Sequence, residues 1–168
     1  MDYDPQSEIT HAFYKTVQNK LHWAITGHTA AEIIAERAHA DKPNMGLTTW
    51  KNAPKGKIQK SDIGIAKNYL SEKELDELNR IVSMYLDYAE NQAKRKMAMT
   101  MKDWAQRLDA FLQFNEYAVL KDAGRISADI AKKLVEEQFA QYRVIQDQHY
   151  LSDFDEAIKD LTTTPPPQ

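Results

Sequence analysis

Five lysines and no acidic residue fall between Lys42 and Lys60, giving a local formal charge of +5 inside a chain whose net charge is −3. A cationic stretch of this kind attracts anions. Trp50 beside Lys51 offers a flat face for stacking, and Asn44-Met45-Gly46 has the composition of a tight turn that could present backbone N–H groups to a phosphate or carboxylate. The expected anion- or partner-binding set is therefore Asn44, Trp50, Lys51, Lys55 and Lys57, with Arg37 upstream as a further cation. In the competing reading Trp50 only anchors the loop, and the lysines stand in water.

The one candidate for proton transfer is His22. It shares a helix face with His11, Lys15 and Gln18, because eleven residues at about 100° each return the chain to within about 20° of its start. The two rings lie about 16 Å apart along the axis, so they cannot serve one metal or one proton, and a plain solvated face is the alternative. Glu36 and His39 have the Glu-x-x-His spacing of carboxylate-bridged metal bundles, but such sites need a second pair from another helix. Read as an isolated pair, they give no metal site. No cofactor is expected either: a Walker A loop, a G-x-G-x-x-G fingerprint and a G-x-S-x-G elbow are all missing. With no cysteine in the chain, disulfides, thiolate zinc sites and thiol nucleophiles are excluded together.

The elements that must position these residues read as helices. Only five glycines occur, and no proline lies between Pro54 and Pro165, so the punctuation of a many-stranded protein is lacking. Phe13, Val17 and Leu21 continue a four-residue apolar spacing begun at Ile9, with Ser7 as N-cap and Gly27 as stop. Thr29 with Glu32 and Ser71 with Glu74 form capping boxes that open a short helix and the longest one, and Thr100 caps the next. That helix is expected to run to a stop at Gly124. Ser127 then opens a helix whose buried stripe is expected to be Ile130, Ala131, Leu134, Val135, Phe139 and Tyr142. Ser61 to Leu70 is expected to be helical, and a short helix is expected after Ser152. Ser83 is the only serine inside a helix, and Met97, Met99 and Met101 read as packing residues.

The fold class expected is all-α: a single compact bundle of about six helices with one long ordered basic loop. Residues 1–161 form the helical domain and 162–168 a disordered Pro-rich tail. At 168 residues, with 42% hydrophobic and 28% charged content, the chain suits one globular domain without a membrane span. The absence of cysteine and of an N-terminal signal pattern points to the cytoplasm.

Four blocks, TVQNKLHWAITGHTAAEIIAERA, KPNMGLTTWKN, KNYLSEKELDELNRIVSMYLDYAE and MTMKDWAQRLDAFLQFNE, closely resemble the C-terminal region of the RhuM family of bacterial virulence-associated proteins, over Asp2 to about Leu161. The resemblance carries no catalytic residue across. It implies a longer protein whose N-terminal portion is similar to phage- and plasmid-type DNA-binding modules, with the present residues as a helical domain beside it. The His-Pro-Phe motif of Fic-type nucleotide transferases is missing from these blocks. The function expected is a non-catalytic regulatory or interaction module that self-associates through an exposed apolar helix face, with DNA a partner only through the N-terminal part. One alternative is an enzyme or toxin acting on a phosphate-bearing substrate, with Lys51, Lys55 and Lys57 holding the anion, Trp50 stacking and His22 transferring a proton. A second is direct nucleic-acid binding by the same lysines.

Overall fold

The computed structural model describes residues 7–149 and residue 158. Among the described residues every regular element is helical: α1 (Glu8–Thr26), α2 (Ala30–Arg37), α3 (Glu72–Lys94), α4 (Met101–Phe114) and α5 (Ala128–His149). This is an all-α fold with five α-helices where about six were expected. Apart from residue 158, which is helical, the expected helix after Ser152 lies outside the described residues, as does the Pro-rich tail. Ser61 to Leu70, expected to be helical, is so only in part: turns lead into one short 3-10 helix, Ala66–Tyr69, and no α-helix forms there. No helix among the described residues is long and apolar enough to cross a membrane.

The helix starts follow from side chains that satisfy the otherwise orphaned first-turn N–H groups. Ser7 Oγ accepts from the Thr10 N–H at 3.2 Å, and Gly27, at φ 72°, closes α1 by donating its N–H to the Trp23 carbonyl at 2.8 Å. Reciprocal capping boxes open α2 (Thr29 with Glu32), α3 (Ser71 with Glu74) and α4 (Thr100 with Asp103). Each such cap is worth about 1 kcal/mol.

Two apolar clusters hold these helices together. In the larger, Ile33 and Ile34 of α2 and Ala38 just past its end meet Leu78 of α3, Val135 of α5, Ala66 and Tyr69 of the 3-10 turn, and Leu70 just after it. The connector between α2 and α3 supplies Met45, Leu47, Ile58 and Ile63 to the same cluster. In the smaller, Ile81 of α3 meets Leu108 and Leu112 of α4, with Val17, Leu21 and Ala24 of α1 packed against them. Leu21, Ile25 and Val82 touch both clusters, so α1 joins the two halves. Burying a side chain such as Ile33, which is fully inaccessible, contributes roughly 1.5–3 kcal/mol.

Three local expectations are corrected. α4 ends at Phe114 rather than near Gly124: Glu116 takes φ 63°, and the Tyr117 N–H bonds back to the Leu112 carbonyl at 2.9 Å. This reversal lets Tyr117 and Val119 cover Leu108 and Leu112, which a continued helix would carry away from them. Gly124 serves a different purpose. At φ 81°, a Cβ on it would lie 2.6 Å from Thr29 Cγ2, so only glycine lets the chain pass the start of α2. Ile130 and Leu134 of α5, expected in the core, are exposed. The apolar side chains by which the helix leans on α2 and the connector are Ala131, Val135, Phe139 and Tyr142.

Candidate functional site

The connector owes its course to buried groups. The Asp62 carboxylate, 3% exposed, accepts from the Lys51 N–H at 3.1 Å and the Gln59 N–H at 2.8 Å, so it ties the two ends of the loop together. The Trp50 indole N–H donates to the Gly56 carbonyl at 2.6 Å, and the ring packs half-buried against the larger cluster. Asn44 (φ 52°), Met45 (φ 58°) and Gly46 (φ 86°) make a left-handed turn in which a Cβ at Gly46 would meet the Arg37 carbonyl at 2.2 Å. The Met45 N–H is used within this turn, on the Lys42 carbonyl at 2.9 Å, so it is not presented to a ligand.

This framework brings four of the expected residues together. Asn44, Trp50, Lys55 and Lys57 line one cleft of about 160 Å³, which α5 completes with Tyr142, Gln146 and His149. Gln146 clamps the wall by accepting from the Ile58 N–H at 2.8 Å and donating to the Ile58 carbonyl at 3.2 Å. Small-molecule pockets usually hold about 300–1,000 Å³, so the cleft has room for a small anionic group and not for a whole nucleotide.

The cationic surplus of the connector is reduced by α5. Lys57 pairs with Asp147 at 2.8 Å and Lys60 with Glu136 at 3.1 Å, and the Lys57 hydrogen bond holds the Asp147 carboxyl below its ordinary pKa. Lys42 donates to the Arg37 carbonyl at 3.4 Å. Lys51 and Lys55 make no ion pair among the described residues. Lys51 stands on the other side of Trp50, over a shallow hollow shared with Asp62 and Asn68.

Arg37 and His22 are elsewhere. The Arg37 guanidinium makes a two-pronged bond to Glu74, at 2.7 and 2.8 Å, and donates a third hydrogen bond to the Tyr69 carbonyl at 2.9 Å. Glu74 also completes the α3 capping box, and the Arg37 bonds hold its carboxyl at about 2 against burial that would raise it. The fork therefore fastens the end of α2 to the start of α3. His22 is 8% exposed, and its Nδ1 has no hydrogen-bond partner, while His11, Lys15 and Gln18 of the same face are exposed. Burial pushes its imidazole below the ordinary pKa, so the ring is neutral at physiological pH. It is not among the residues that line the connector cleft. Lys15 and Gln18 instead border a cleft of about 540 Å³ with Lys121 and Asp122 from the segment before α5.

The Glu36–His39 spacing is not isolated, because Glu8 and His11 repeat it on α1. In the fold Glu36 pairs with His28 at 3.2 Å and the His39 ring turns back on the Glu36 carbonyl. No group of three or more His, Asp or Glu residues converges as a metal-ligand set among the described residues. The residues that sequence reasoning missed, Tyr142, Gln146 and His149, follow the loop only after the whole of α3 and α4 and more than half of α5, and no local spacing marks them.

No curated protein and no solved structure matches the chain. The description that does match is Virulence protein RhuM family, over residues 1–151 of 168, a span that takes in all five helices, the connector and its cleft. With that coverage, the chain belongs to the RhuM family of virulence proteins.

Proposed function

We propose that this chain is a non-catalytic interaction module of regulatory character, working beside the DNA-binding portion that the family resemblance implies. The observation that carries the reading is the outer flank of α5, where Ile130, Leu134, Val144 and Ile145 stand exposed on a helix that packs along one side only. Large apolar side chains gathered on one exposed helix flank mark an association surface. The dispersal of the groups able to do chemistry supports the same reading: Arg37 is spent on Glu74, and His22 is buried away from the lysines. Light scattering over a range of protein concentrations tests it. The mass should rise above 19.4 kDa with concentration, and the double variant Leu134→Glu, Val144→Glu should stay monomeric. A wild-type mass that never moves would refute association through α5.

A second reading is favoured by the convergence of Asn44, Trp50, Lys55 and Lys57 with His149. Here the cleft holds the phosphate group of a ligand, gripped electrostatically and stacked on Trp50. Inorganic phosphate should then quench tryptophan fluorescence in a salt-dependent way, and Lys55→Gln with Lys57→Gln should remove the effect. Quenching that survives both substitutions would rule the cleft out.

A further inference from the structure

The side chains of α5 divide by angle around its axis. Ala131 and Val135 are buried, and Phe139 and Tyr142 half-buried, on the inward side. A second row, Ile130, Leu134, Glu137, Gln141, Val144 and Gln148, advances alternately by four and three residues, the spacing that keeps a row on one side of a helix over many turns. All six are exposed; the apolar members stand 53%, 42% and 59% open to solvent, and the neighbouring Ile145 43%.

The inner four positions of the row are nearly the same read from either end, and only the outermost pair differs in character. Around a midpoint level with Phe139, Leu134 and Val144 are equidistant, as are Glu137 and Gln141, and as are Ile130 and Gln148. A surface of this kind fits itself when one copy is turned end for end over another, which is the requirement of a two-fold interface. Leu134 then packs on the partner's Val144, and the Glu137 carboxylate accepts from the amide of the partner's Gln141. Neither Glu137 nor Gln141 has a side-chain partner among the described residues of its own chain, so both are available. Alternative arrangements are worse. Parallel pairing would put Glu137 against Glu137, and a slip of one heptad would put Leu134 against the partner's Glu137.

The geometry points to α5 as an antiparallel pairing helix whose partner is a second copy of this chain, with register set by Leu134 on Val144 and Glu137 on Gln141. This rests on the interaction-module reading above and adds the partner and its orientation. α5 has 22 residues, about 33 Å of helix at about 1.5 Å per residue. A seam of that length and roughly 10 Å wide covers a few hundred Å² per subunit, against roughly 800 Å² per partner in a stable complex. The pairing is therefore weak and concentration-dependent.

The chain contains no cysteine, which makes a clean cross-linking experiment possible in the full chain. Leu134→Cys and Val144→Cys are prepared separately; both positions are exposed, so the fold is retained, as circular dichroism checks. Mixed under mild oxidation, the two variants should form a covalent heterodimer, while each alone should not. In the antiparallel arrangement two copies of position 134 are ten residues apart along the axis, about 15 Å, beyond the roughly 7 Å that a disulfide can bridge. Self-cross-linking of either single variant would mean parallel pairing and would overturn the proposal. A wild-type dimer in light scattering, together with a mixture that does not cross-link, would overturn the register and leave the association reading intact. A strict monomer would overturn both.

Discussion

Replacing Arg37 by methionine separates a structural cation from a ligand-binding one. In wild type the Arg37 fork holds the Glu74 carboxyl at about 2, against an ordinary value of 4.5. A fall of that size, at about 1.4 kcal/mol per pH unit, sets a ceiling of roughly 3 kcal/mol on the stabilisation. The two side chains are 27% and 23% exposed, and solvent screens part of the attraction. Glu74 also keeps its bond to the Ser71 N–H in the variant. A loss of about 1–2 kcal/mol at neutral pH remains, which lowers the melting temperature by roughly 2–8 °C for a chain of this size. The sign with pH follows from the depressed carboxyl: its stabilisation is complete above 4.5 and is lost as pH falls toward 2. Urea unfolding followed by circular dichroism at neutral pH and at about pH 3 should therefore show a large gap between wild type and variant at the first pH and a smaller one at the second. Equal midpoints at neutral pH, or the same gap at both pH values, would refute the reasoning. Arg37 would then be free to act on a ligand.

Gly124→Ala forces a Cβ to within 2.6 Å of Thr29 Cγ2 at a positive φ, so thermal unfolding should show a loss of about 1–3 kcal/mol; a change below about 0.5 kcal/mol would mean the chain can shift there cheaply. His22→Leu removes a buried, unpartnered ring nitrogen and should leave stability near neutral pH unchanged or slightly higher. Because the imidazole pKa is depressed in the fold, wild type should lose stability as pH falls below the ordinary 6.5, and the leucine variant should show a shallower decline there. Identical slopes in urea titrations would show that His22 protonates without cost.

What could be read from sequence was local. Ser7, Thr29, Ser71 and Thr100 start helices through bonds to residues three positions on, and a single turn contains the whole signal. Gly124 resisted for the opposite reason: its constraint comes from Thr29, far back in the chain. The end of α4 depended on Tyr117 and Val119 returning to Leu108 and Leu112, a tertiary demand that periodicity does not encode. On α5 the apolar positions fall on two adjoining flanks, and nothing in the spacing says that only one of them meets α2. The connector was legible in charge and opaque in detail. Its turns and lysines were plain, but the partners of Lys57 and Lys60 are Asp147 and Glu136 on α5, and Glu74, which claims Arg37, sits on another helix.

The connector sends Met45, Leu47, Ile58 and Ile63 into the larger cluster from the backbone that carries its lysines outward. A segment with its apolar side chains locked into the interior cannot fray by itself. Amides such as those of Lys51 and Ile58, bonded to Asp62 and Gln146, should exchange with deuterium only on global opening. A protease added under native conditions should find no early nick between residues 42 and 60. Substitution can therefore retune the outward charges one at a time, while insertion into the same stretch would prise the fold open.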